Sequence, residues 1–110
     1  MNNNIDYAAD APTRAEIDSI AEPLVIEFGA PWCSFCQGAQ PVIAAGLASG
    51  ALRHLRIEDG KGKPLGRSFA VKLWPTLVFM HQGHEVARVV RPTEPQQVAD
   101  ALAALLAHSA

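Results

Sequence analysis

The sequence predicts a three-layer α/β domain: a central mixed sheet of four or five strands with helices on both faces. Three observations predict it. Two short apolar runs, Leu24-Val25-Ile26-Glu27-Phe28 and Thr76-Leu77-Val78-Phe79-Met80, suit buried strands and alternate with segments of helical spacing. The second run continues into a hairpin pattern, and an amphipathic helix follows it. With 110 residues, 49% of them hydrophobic and 18% charged, residues 1–110 read as a single domain with a real core.

The elements follow in order. Residues 1–12 read as a loose terminal segment, three asparagines preceding Ile5-Asp6-Tyr7, with an edge strand at that tripeptide as the alternative. Thr13-Arg14-Ala15-Glu16 is a capping box, and Ile17, Ile20 and Ala21 carry a first helix toward Glu22-Pro23. Leu24 to Phe28 is the first strand, ended by Gly29-Ala30-Pro31. From Cys33, the positions Val42, Ile43 and Leu47 suit a helix to about Ser49 with Pro41 inside it, and Gly50 ends it. Leu52, Leu55 and Ile57 mark a strand to Glu58, before the polar loop Asp59-Gly60-Lys61-Gly62-Lys63. A short helix runs from Pro64 to about Ala70. Thr76 to Met80, the turn Gln82-Gly83-His84 and Glu85 to Val90 form the hairpin. Thr93-Glu94-Pro95-Gln96 reads as a second capping box, opening a helix with Val98, Leu102 and Leu105 on one face.

The net charge of -2 hides a split. Residues 1–30 carry an excess of acids, residues 51–91 an excess of bases that includes Arg53, Arg56, Lys61, Lys63, Arg67 and Lys72. Those bases are scattered over a strand and a loop with no interleaved aromatics, so no nucleic-acid partner is expected. No stretch approaches the roughly 18 consecutive apolar residues of a membrane span. Met1-Asn2-Asn3-Asn4 lacks the basic and apolar regions of a secretory signal, so a cytoplasmic location without membrane contact is expected.

Both cysteines of the chain fall in one tetrapeptide, Cys33-Ser34-Phe35-Cys36, where the first strand stops. On a strand-to-helix turn this spacing lets two sulfurs meet and part as a disulfide, so the motif points to thiol-disulfide exchange. Two cysteines this close cannot staple distant parts of a fold. The competing readings are a buried packing pair and half a metal site. A closed zinc site takes about four ligands, and His54, His81, His84 and His108 stand at no recognisable ligand spacing, so neither metal nor cofactor is expected.

Trp32-Cys33-Ser34-Phe35-Cys36, Pro41 five residues after the second cysteine, and Trp74-Pro75-Thr76 before the hairpin with Gly83 resemble the thioredoxin family. The resemblance covers about residues 13–107 and implies a thioredoxin fold acting as a protein-disulfide reductase. Cys33 then stands at the mouth of a helix, where unpaired N–H groups and the dipole favour thiolate, and is the implied nucleophile. Cys36, one turn deeper and shielded, is the implied resolving thiol. Pro75 resembles the family's cis-proline, beside which the backbone of Trp74 would meet an extended substrate strand, with Trp32 on the same rim. Glu27 aligns with the family's buried carboxylate, the proton acceptor for the resolving cysteine; burial is expected to raise its pKa. A solvated edge residue is the other reading of Glu27. The implied partners are protein disulfides and a thioredoxin reductase, with the chain a monomer.

Several positions depart from the family pattern. Glu27 replaces the usual aspartate, and Ser34-Phe35 the usual Gly-Pro. Gly29 stands where many members carry tryptophan, and Trp74 reads as the aromatic that replaces it. Arg91-Pro92 stands where a glycine usually follows the hairpin, which implies a groove of altered shape and charge. His54 lies near where the family often has a lysine close to the buried carboxylate, with a surface histidine as the favoured reading. Two other functions remain open at this point: a binding or chaperone-like module with unused thiols, and a glutaredoxin-like iron-sulfur carrier.

Overall fold

The computed structural model describes residues 7–50 and 52–109. Its elements come in the expected order: α1 (Arg14–Asp18), β1 (Leu24–Gly29), α2 (Ser34–Leu47), β2 (Arg53–Glu58), α3 (Pro64–Ser68), β3 (Thr76–His81), β4 (His84–Val90) and α4 (Pro95–Ser109). Four strands form the sheet in the order β2-β1-β3-β4. β1 runs parallel to β2 and antiparallel to β3, and β3 pairs antiparallel with β4. Of the tripeptide considered as an edge strand, Ile5 and Asp6 lie outside the described residues. Ala8, just beyond it, makes an isolated parallel bridge to Ile57 on the outer side of β2.

Alternation along β1 divides the core in two. Leu24, Ile26 and Phe28 face α1 and α3, packing with Ile17, Leu65 and Phe69. Val25 points the other way, to Ile43 of α2 and to Val98, Leu102 and Leu105 of α4. Glu27 shares the parity of Val25 and therefore lies on the α2 side. The inner strand β1 is buried throughout and β3 nearly so, while the edge strands β2 and β4 are half-buried, as their mixed sequences require.

Both caps have local causes. Thr13 Oγ1 accepts from the Glu16 N–H at 3.1 Å, and Glu16 Oε1 accepts from the Thr13 N–H at 2.9 Å, the reciprocal box read from the sequence. At α4 the sequence reading is one residue out. Gln97, not Gln96, reaches back to the N–H groups of Thr93 and Glu94, at 2.7 and 2.9 Å. Pro95 takes the first helical position, where its missing N–H costs nothing, so the third position falls on Gln97.

α2 and α4 cross on Gly46. A Cβ built there would stand 2.4 Å from Val98 Cβ and 2.7 Å from the Pro95 carbonyl oxygen, whereas one on Gly38 of the same helix would meet nothing within 4 Å. Gly46→Ala should therefore lower stability by about 1–3 kcal/mol despite the better helix propensity of alanine. Gly38→Ala should raise it by about 0.5–1 kcal/mol. Urea unfolding of both variants checks the pair, and equal shifts would show that the crossing is not close at Gly46.

Candidate active site

Cys33 caps the N-terminus of α2. Its Sγ accepts the Cys36 N–H at 3.2 Å, and its own N–H donates to the Ala30 carbonyl at 3.1 Å, so the strand-to-helix turn fixes the thiol in place. Both thiols are free. Cys33 keeps 7% of its surface exposed at the rim and Cys36 none. Burial, followed by the hydrogen bond and charge of Cys33, pushes the Cys36 thiol up to about 12. The two sulfurs are thus unequal, one reachable and one held protonated.

Beneath them lies Glu27, fully buried in β1. Its Oε2 accepts from the Tyr7 hydroxyl and from Gln40 Nε2, the latter at 2.8 Å. Its Oε1 faces His54 Nε2 at 2.9 Å and Arg56 Nε at 3.3 Å. Arg56 also donates to Gln40 Oε1 at 2.8 Å, closing the ring of donors. The β1–β2 register places Arg56 opposite Glu27, and His54 two residues earlier shares that face. Burial alone drives the Glu27 pKa up. The hydrogen bonds of His54, Tyr7 and Gln40, then the charge of Arg56, outweigh it and hold the carboxyl below its ordinary value.

Two expectations are corrected here. Glu27 is not a solvated edge residue, and its pKa is depressed where burial alone would raise it, because burial brings four donors with it. His54 is not merely a surface histidine; facing an acceptor-only carboxylate, its Nε2 must carry the proton. The space directly above Gly29 is taken by the Tyr7 phenol and the Cys36 thiol, with Trp74 packed against the same cluster. A Cβ on Gly29 would stand 2.7 Å from both the Tyr7 Oη and the Cys36 Sγ, so glycine is what lets the phenol and thiol close over the strand.

Trp32 and Phe35 project from the rim, 72% and 58% exposed. Trp74 lies edge-on to Trp32 at 5.4 Å between ring centroids, packs against the cluster of Tyr7, Ala30, Cys33 and Cys36, and donates from Nε1 to Asp59 Oδ2 at 2.8 Å. The Trp74-Pro75 bond is cis, as the resemblance implies. Arg91 completes the rim. Its Nε donates to the Trp74 carbonyl at 2.8 Å, its N–H to the Pro75 carbonyl at 2.9 Å, and its guanidinium lies 3.8 Å over the Phe35 ring. Cys33, Cys36, Glu27, Trp32, Trp74 and Pro75 therefore converge. Sequence reasoning missed Tyr7, Gln40 and Arg56: Tyr7 is placed by a terminal path and Arg56 by a strand register that no local pattern encodes, whereas Gln40 stands one helical turn after Cys36 on α2, a spacing the sequence does carry.

Comparison with known proteins agrees with this geometry. The thioredoxin family model matches residues 6–104. A solved structure of thioredoxin 2 from Pseudomonas aeruginosa in its reduced form is 48% identical, covers 93% of this chain and 95% of its own, and superposes with a TM-score of 0.83. Thioredoxin 1 of Synechococcus elongatus is 24% identical over 84% of this chain and 89% of its own. A bifunctional thioredoxin reductase/thioredoxin of Mycobacterium leprae is 28% identical over 74% of this chain and 18% of its own.

The Glu27 ring has a consequence for stability. A carboxyl held below its ordinary value of 4.5 stabilises the folded chain above that pH and loses the contribution as pH falls through its lower folded pKa. Thermal unfolding followed from about pH 6 to about pH 3 should show the wild-type chain losing more stability than Glu27→Gln. Parallel curves would show that no depressed carboxyl is present at this position.

Proposed function

This chain belongs to the thioredoxin family and is a thiol-disulfide oxidoreductase, and from that premise we propose that it reduces protein disulfides with Cys33 attacking and Cys36 resolving. The inequality of the two thiols carries the reading. Cys33 sits at the rim beside the exposed rings of Trp32 and Phe35, whereas Cys36 has no exposed surface and a raised pKa. An incoming disulfide meets Cys33 first. The Cys33 thiolate displaces one substrate sulfur and forms a mixed disulfide; Cys36 then attacks Cys33 Sγ and expels the second. The chain leaves oxidised as the Cys33–Cys36 disulfide, and the substrate leaves as two thiols.

The rim of Trp32, Trp74, Pro75 and Arg91 supports an extended protein segment as the substrate rather than a small thiol compound, because the rings of Trp32 and Phe35 stand open to solvent beside Cys33. A thioredoxin reductase is the proposed electron donor, in keeping with the bifunctional thioredoxin reductase/thioredoxin among the relatives. The reading takes the chain as a single-domain monomer working in the cytoplasm. No described helix is long and apolar enough to cross a membrane.

Reduction of insulin by dithiothreitol tests the assignment. Cys33→Ser should bring the rate down to the background without protein, whereas reduced Cys36→Ser mixed with insulin after removal of dithiothreitol should accumulate a covalent insulin adduct visible by non-reducing mass spectrometry. Full activity of Cys33→Ser would remove the reading.

A further inference from the structure

The cluster around Glu27 leaves one functional question open, namely how a proton leaves Cys36. Among the described residues, no hydrogen bond joins Glu27 to the Cys36 thiol. Both carboxylate oxygens are already engaged, Oε1 by His54 and Arg56 from β2, Oε2 by Gln40 from α2 and by Tyr7. Gln40 Nε2 donates to the backbone carbonyl of Cys36 at 3.0 Å and not to its thiol. The Tyr7 hydroxyl is different. It donates to Glu27 Oε2 and at the same time faces Cys36 Sγ, the two atoms lying over one point above Gly29.

We propose that Tyr7 is a catalytic proton relay: its hydroxyl takes the Cys36 thiol proton as it passes its own proton to Glu27 Oε2. The proposal rests on the reading that Cys36 is the resolving thiol. In the mixed disulfide the Cys36 S–H bond breaks, its proton goes to Tyr7 Oη, and the phenolic proton goes to Glu27. The electron pair left on Cys36 Sγ attacks Cys33 Sγ and forms the Cys33–Cys36 bond. The bond between Cys33 and the substrate breaks, and its electron pair leaves on the substrate sulfur. The dithiol is oxidised by two electrons and the substrate disulfide is reduced; the proton on Glu27 returns through the Tyr7 hydroxyl to the departing thiolate or to water.

Two features suit the phenol to this role. Burial, then the Glu27 charge and hydrogen bond, push its pKa well up, so it stays protonated and ready to donate. Forming the mixed disulfide also removes the Cys33 hydrogen bond and charge that help hold Cys36 protonated, so Cys36 becomes more acidic at the moment it must act. The alternative, a tyrosine that only fills space above Gly29, needs the ring but not the hydroxyl.

Tyr7→Phe separates the two. Mixed with a stoichiometric amount of 5,5′-dithiobis(2-nitrobenzoate), the reduced chain should release nitrothiobenzoate in two phases, attack by Cys33 and then resolution by Cys36. In Tyr7→Phe the second phase should slow by roughly a hundredfold, the scale of a lost positioned proton-transfer group, while the first changes by less than about twofold. Its rate should then rise about tenfold per pH unit between about pH 6 and pH 9, as expected when only solvent removes the proton from a high-pKa thiol. The double variant Tyr7→Phe/Glu27→Gln should be no slower than the slower single variant, because either substitution breaks the same path. On the unaltered protein, deuterium oxide should slow the second phase more than the first. A wild-type second phase and pH profile in Tyr7→Phe, multiplying losses in the double variant, or equal isotope effects on both phases would each overturn the relay. A second phase that survives in Cys36→Ser would instead overturn the assignment of the resolving thiol.

Discussion

An ionised carboxylate with no exposed surface, set in an inner strand of the sheet, is the constraint on which the rest of this structure depends. Burying such a charge unpaired costs several kcal/mol, comparable to the whole stability of a small domain. Glu27 escapes that cost by drawing donors from three separate parts of the chain. His54 and Arg56 come from β2, so a one-residue slip of that strand would turn both donors to the opposite face and strand the charge. Gln40 ties α2 to the sheet. Tyr7 brings in the N-terminal segment, whose Ala8 exchanges backbone hydrogen bonds with Arg56 and Glu58, both at 2.9 Å. The carboxylate thus fixes β2 register, α2 docking and the path of the terminus together.

The same satisfaction limits what Glu27 can do. Each donor that offsets burial also lowers the affinity of the carboxylate for a proton. A thiol near 12 and a carboxyl below 4.5 are far apart, so the proton does not rest on Glu27 in the reduced protein. In the proposed relay, transfer becomes productive only because the Cys36 thiolate is consumed as the new disulfide forms. The relay would therefore couple proton movement and sulfur attack by energetics as well as by position, with the shared space above Gly29 supplying that position.

Much of this was legible in the sequence, and the pattern of what was not is physical. Strands such as Leu24-Val25-Ile26-Glu27-Phe28, the Thr13 capping box and the cysteine pair declare themselves through local periodicity or spacing. The cis bond at Trp74-Pro75 was carried by the family resemblance and not by the residues alone. Tyr7 lies in a stretch whose polar asparagines read as a loose end, and only the tertiary gap over Gly29 gives its ring a place. His54 and Arg56 face Glu27 across a parallel pairing, a register that no short-range signal fixes. The direction of the Glu27 pKa depended on these three residues together with Gln40, which is why burial alone gave the wrong sign.

Arg91 shows how the rim can depart from the family pattern without loss. Its φ of 49° lies in the left-handed region that glycine enters freely and that costs other residues roughly 1–2 kcal/mol. Against that cost stand the side-chain hydrogen bond to the Trp74 carbonyl, worth about 1 kcal/mol or more for a charged donor, and the guanidinium stacked on Phe35, worth about 0.5–1 kcal/mol on a half-exposed ring. The sums are comparable, so arginine is tolerated where glycine would be strain-free. What arginine adds is order: it joins the loop after β4 to the segment before β3 and to the first turn of α2. A carbonyl has two lone pairs, and Arg91 takes only one at Trp74. An extended segment laid along this rim can still engage the other, and it does so next to a fixed positive charge that a glycine at the same position would not provide.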